Sequence, residues 1–124
     1  MNTHKKPYLE GHYDMAMFHA EQTLQLRLKP LALRILGYIP RIHSVRELLG
    51  IVAKSLDAVG RGDLAAELKE FAERNRGALR LLEEAYTSTR YSPKTYDEAE
   101  ASNALGAVEE ALKTLDKIER HVFT

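Results

Sequence analysis

Apolar residues recur at three- and four-residue steps along nearly the whole of this 124-residue chain. That spacing leaves it little to fold into except helices packed side by side. Tyr13, Ala16, Met17, Ala20, Leu24, Leu28, Leu31 and Ile35 make one stripe running from about Tyr8 to Gly37. Pro30 interrupts the stripe, and proline removes a backbone donor and crowds the preceding turn. The pattern therefore predicts either a long first helix kinked at Pro30 or two helices meeting at Lys29-Pro30. Gly37 and then Pro40 mark its end.

Ser44-Val45-Arg46-Glu47 has the form of a capping box, in which Ser44 accepts from the third amide and Glu47 reaches back. It opens a helix with Val45, Leu48, Leu49, Val52 and Leu56 on one side. Gly60-Arg61-Gly62-Asp63 is the next break, with Asp63 as a cap. The following stripe is Leu64, Leu68, Phe71, Ala72, Leu79, Leu82 and Tyr86, interrupted by the weak helix formers Asn75 and Gly77. One long helix over 64–88 or two short ones fit that spacing equally. Residues 87–93 read as a loop leading into Pro93.

Thr95-Tyr96-Asp97-Glu98 is a second capping box, opening a last helix on Ala101, Ala104, Leu105, Val108, Ala111, Leu112, Leu115, Ile118 and Val122. Nothing alternates at period two. Four or five amphipathic helices joined by short connections predict an all-α, antiparallel up-and-down bundle, forming a single domain over residues 1–124. The long stripes on the first and last helices exceed what one chain needs to cover, which predicts a homodimer.

Composition narrows the function. Without cysteine the chain has no disulfide framework, no thiolate zinc site and no cysteine nucleophile, and it suits a reducing compartment. Eighteen Lys+Arg balance eighteen Asp+Glu, so the domain as a whole lacks the excess positive charge on which nonspecific nucleic-acid binding depends. No apolar run is long enough to span a bilayer, and Lys5-Lys6 is not followed by the apolar segment of a secretion signal. The predicted location is the cytoplasm.

The seven glycines never form GxGxxG or GxxxxGK, which argues against a nucleotide-cofactor enzyme. His12 and His19 share a helix side but stand two turns apart, too far for one ion to reach both rings, so no metal site is expected. His19, next to Glu21 and Gln22, suggests a hydrogen-bonding cluster. His43 reads as a packed residue at the helix start, and His121 as a favourable group at a helix C-terminus. Arg74, Arg76, Arg80 and Arg90-Tyr91 form the densest basic stretch, and guanidinium beside tyrosine can hold a phosphate and stack a base. Glu67, Glu70, Glu73, Glu83 and Glu84 interleave with it, so an ion-paired face is the simpler reading. Arg27, Lys29, Arg34, Arg41 and Arg46 form a second, less diluted set.

Tyr13, Ala16, Phe18, His19, Ala20, Gln22, Leu28 and Lys29 lie in a segment, residues 13–31, that resembles the opening helix of HEPN domains. His43-Ser44 followed by Leu48-Leu49 resembles the start of that family's second helix, and Arg90-Tyr91-Ser92-Pro93 is similar to its Arg-Tyr-Pro turn. The resemblance implies a four- or five-helix bundle, commonly dimeric, often encoded beside a minimal nucleotidyltransferase in toxin–antitoxin pairs. Several HEPN lineages are metal-independent RNases that use an arginine and a histidine with four to six residues between them, at a dimer cleft. Here Arg90 has no such histidine, and Tyr96 stands at that distance. A tyrosine is a poor general base at neutral pH. The expectation is a non-catalytic HEPN-like module without metal or cofactor, binding a nucleotide or a nucleotidyltransferase partner. Its ligand-binding candidates are Arg90, Tyr91, His19, Gln22 and Lys29. The alternative is a divergent RNase acting at a dimer cleft, with Arg90, Tyr96 and His19 as catalytic candidates.

Overall fold

Each apolar stripe is buried along a helix, and the first helix packs against three of the other four. The structure is a computed structural model that describes the backbone of residues 2–91 and 96–123 and the side chains of 13–87 and 96–123. Among the described residues the elements are five helices: α1 Asn2–Leu36, α2 Val45–Ala58, α3 Gly62–Arg74, α4 Arg76–Tyr91 and α5 Glu98–Phe123. None of them is long and apolar enough to cross a membrane. The chain is an all-α bundle.

Of the two readings offered for the first segment, the single helix is the one observed. α1 runs unbroken through Pro30. Proline leaves the carbonyl of Leu26 without its intrahelical donor. That loss falls where solvent can replace it, because Pro30 is exposed and the Leu26 side chain is 71% exposed. On the opposite side Met17, Leu24, Leu28 and Leu31 are fully buried, and so are two polar residues in the same register, Glu21 and Gln25. Gly37, at φ +90°, ends the helix in the left-handed region that glycine enters without strain, and its amide bonds Leu33 O at 2.8 Å.

The chain then returns along α1 as an extended leg, 37–44, far enough for the His43 carbonyl to accept from Gln25. Ser44 caps α2 by accepting from the Glu47 amide at 3.2 Å. The hydroxyl in turn donates to Glu83 of α4 at 2.6 Å. α2 closes in a Schellman turn, with Gly60 at φ +83° and the Arg61 amide on Leu56 O at 2.8 Å. Asp63 is not the cap of α3: it lies in the first turn, where it pairs with Arg61.

The stripe over 64–88 divides into two helices at Asn75. The Asn75 side chain donates to Phe71 O at 3.1 Å, competing with helical continuation, and to Glu110 of α5 at 3.3 Å. Arg74 also pairs with Glu110, at 2.8 Å, so one α5 carboxylate pins the bend. The loop expected from residue 87 starts later, since α4 continues to Tyr91. The last helix starts two residues beyond the Thr95-Tyr96-Asp97-Glu98 reading, whose first residue lies outside the described set. Asp97 and Glu100 form the capping box, each carboxylate accepting from the other's amide at 2.7 and 3.1 Å. Leu105, expected in the core, is exposed.

Contacts fix the directions. Arg27 meets Asp116, while Arg34 meets Glu119 and covers the Phe123 ring at 3.9 Å, so α1 and α5 run the same way. Arg61 meets His121, Lys117 meets Glu67 and Arg74 meets Glu110, so α3 runs against α5. Counting the extended leg, and taking α3 and α4 as one run bent at Asn75, the chain alternates up and down. α1 packs against α2, α4 and α5, and its buried face is the centre of the core.

Two substitutions probe this arrangement by chemical denaturation. Phe71→Ala, at a fully packed position, is expected to cost about 3–5 kcal/mol. Pro30→Ala restores the missing donor on an exposed surface and is expected to stabilise the chain, by at most about 3 kcal/mol.

Candidate functional site

The most concentrated chemistry lies on the seam between α1 and α4, where the 37–44 leg passes over it. Spacing explains why these groups meet: Phe18 and Gln22 lie one turn apart on α1, and Tyr86 extends the stripe of α4. The Phe18 and Tyr86 rings stack with centroids 6.0 Å apart and planes 8° apart. Tyr86 stacks in turn on His43, at 6.1 Å and 19°. His19 meets the edge of Phe18 at 5.7 Å. The result is a row of four rings, His19–Phe18–Tyr86–His43, half-buried in the middle and exposed at its two imidazole ends.

Two hollows flank the His43–Tyr86 pair. One, of about 140 Å³, is lined by Gln22, Gln25, Leu26 and Lys29 together with those two rings. The other, of about 210 Å³, adds Ser44, Glu83 and Thr87. A larger hollow of about 480 Å³ lies between Ile42, Gly50, Ile51 and Lys69, away from the ring row and its buried polar groups.

Two carboxylates belong to this seam, in different surroundings. Glu83 accepts from Ser44 Oγ at 2.6 Å and from Arg46 through its amide, Nε and Nη2, at 3.1, 3.1 and 2.8 Å. Burial would raise its pKa, but these donors outweigh burial and hold it below the ordinary 4.5. Glu21 has no exposed surface and accepts only from amides, Gln22 Nε2 and Gln25 Nε2, both at 2.8 Å. Burial pushes its carboxyl above 4.5; the amide donors pull it part of the way back and the Glu83 charge pushes it up again. Gln25 also donates to His43 O at 2.6 Å, which ties the leg to α1.

Of the residues expected from sequence, Gln22 and Lys29 line the smaller hollow, while His19 stands at the far end of the ring row. The side chains of Arg90 and Tyr91, in the last turn of α4, lie outside the described residues, as does that of His12. Tyr96 is fully buried in the core, where a phenol has no access to a substrate backbone. The basic set on α1 is largely committed to α5, since Arg27 and Arg34 pair with Asp116 and Glu119. Arg46 is held by Glu83, Arg74 by Glu110 and Arg76 by Glu73. His121 turns back to Lys117 O at 2.8 Å as a helix-end group. Among the described residues no cluster of His, Asp and Glu could hold a metal.

Sequence reasoning missed the site role of Tyr86, Gln25, Ser44 and Glu83. Only Gln25 and Glu21 carried a signal, as polar residues in the core register of the α1 stripe.

A family model of the HEPN domain matches residues 1–118. The chain belongs to the HEPN family. No curated protein and no solved structure matches it. The match covers all the elements that build the ring row and most of α5.

Acid should release Glu83. A carboxyl held below its ordinary value contributes stability above pH 4.5, and that contribution is lost as pH falls from 4.5 through the lowered value. Thermal unfolding followed across that range should therefore show a decline that Glu83→Gln lacks, with the variant less stable than the wild type at neutral pH.

Proposed function

We propose that this HEPN module binds a nucleotide on the His43–Tyr86 ledge and does not itself cleave or transfer it. The stacked rings, open on the imidazole side and flanked by two hollows, carry this reading. A flat base gains from stacking on an aromatic row whatever its sequence. Gln22 beside the row supplies an amide that can both donate and accept, matching a base edge. Lys29 supplies a positive charge for a phosphate. The absence of a histidine four to six residues after Arg90 and the burial of Tyr96 both favour binding over chemistry.

The proposed assembly is a homodimer through α1, with a minimal nucleotidyltransferase as the partner that the family resemblance suggests. Met15, Leu26 and Leu33 are exposed on α1, and Tyr38 and Ile39 follow on the leg. Leu26 also lines the smaller hollow, so a second copy seated there would extend the site. Sedimentation should show a dimer that Leu26→Glu converts to monomer, and co-purification with the neighbouring gene product tests the other partner.

One observation favours the alternative, an RNase acting at the dimer cleft: two imidazoles, His19 and His43, end the same ring row. Titration with nucleoside monophosphates and a short RNA, read by calorimetry and by gel, separates the two readings. The binding reading expects affinity without cleavage. It also expects a loss of roughly 5- to 150-fold for Tyr86→Ala, the equivalent of about 1–3 kcal/mol of stacking. Cleavage abolished by His43→Ala would replace it with the RNase reading, and absence of binding to every nucleotide would reject it.

A further inference from the structure

Gln25 holds a position that its amide does not fully satisfy. Its Nε2 donates both to Glu21 Oε2 and to His43 O, which fixes which end of the carboxamide faces which neighbour. Its Oε1 is thereby left buried without a hydrogen-bond partner, on a side chain only 5% exposed. A buried acceptor left unmet is costly, and a donor nearby would remove the cost.

The neighbouring group able to become such a donor without a change of chain position is Glu21. As a carboxylate it can only accept. As a carboxylic acid it keeps one accepting oxygen and gains an O–H. Acid and carboxamide can then face each other through two parallel hydrogen bonds, Nε2–H to the acid carbonyl and acid O–H to Oε1. The surroundings favour the neutral form. Glu21 has no exposed surface, and Glu83 on α4 faces it with a negative charge shared with Ser44 and Arg46. The carbonyl of His43 on the leg points its oxygen into the same cluster. The Gln25 and Gln22 amide donors and the Lys29 charge, all on α1, oppose it without outweighing burial.

We infer that Glu21 and Gln25 form a proton-taking latch. One proton from solvent forms the O–H on Glu21, the acid closes onto Gln25, and Gln25 holds the His43 carbonyl so that the imidazole stays stacked on Tyr86. No other covalent bond changes. Both are positioning residues, acting through His43 and not on the ligand. The latch rests on the nucleotide-binding reading only for what the ledge receives, and it is present in the ligand-free chain.

The experiment therefore uses the full chain without ligand. The His43 imidazole is followed by NMR, and the melting temperature is measured from pH 4.5 to about pH 8. A group whose folded pKa is raised stabilises fully below the unfolded value and loses that contribution as pH rises through the folded one. Wild type should therefore gain about 4 °C or more over Glu21→Gln on going from the alkaline to the acid end. Glu21→Gln retains a donor and an acceptor and should leave the His43 resonance in place. Glu21→Leu and Gln25→Leu should move it toward the position of a solvent-exposed imidazole. Parallel pH curves for wild type and Glu21→Gln would overturn the latch, as would an unmoved His43 resonance in Gln25→Leu. If the leucine variants fail to fold, the pH comparison decides alone. A nucleotide titration that fails while these readouts hold rejects the ledge's ligand and not the latch.

Discussion

The burial of one face of α1 against three other helices is the constraint on which the rest of the structure depends. Leu24, Leu28 and Leu31 are covered completely, and each such side chain contributes about 1.5–3 kcal/mol by leaving water. α2, α4 and α5 each satisfy their own apolar stripe by lying on that face. Because the face is continuous, polar residues on it cannot escape to solvent by a small rotation. Glu21 and Gln25 are therefore obliged to find partners inside, and the partners they find are each other, Gln22 and the backbone of the returning leg. The site is in this sense a product of the core and not an addition to its surface.

A second consequence concerns charge. A net charge of zero is realised here as pairing between helices: Arg27 and Arg34 with α5, Arg46 with α4, Arg74 with α5. Exposed pairs of this kind contribute little to stability individually, but they commit guanidinium groups that a nucleic-acid surface would need to leave open.

Periodicity made much of the fold legible. Val45, Leu48, Leu49, Val52 and Leu56 are all buried where the three-and-four spacing puts them. It could not decide the division at Asn75, because a bend of one residue leaves the register of Leu68, Phe71, Leu79 and Leu82 nearly intact; the decision came from Glu110, on a helix distant in sequence. The last cap was ambiguous for a related reason, since Thr95-x-x-Glu98 and Asp97-x-x-Glu100 both satisfy the same pattern. The ring row was only partly visible. Phe18 and His19 stood out on α1, but stacking on Tyr86 and His43 joins three segments, and no local rule reports such a meeting. Ser44 was legible as a cap and illegible as a donor to Glu83, because a capping pattern says nothing about which distant carboxylate passes by.

The parallel alignment of α1 and α5 has an effect on how the domain comes to exist. Arg27 and Asp116 are separated by 89 positions, so the pairing that completes the core is among the least local in the chain, and closing long loops slows folding. During synthesis from the N-terminus, the α5-facing side of α1 stays uncovered until α5 emerges. Until then that side of α1 remains open to other apolar surfaces, the condition under which unfinished chains associate. A helical protein would ordinarily fold through local contacts; this one has to wait for α5.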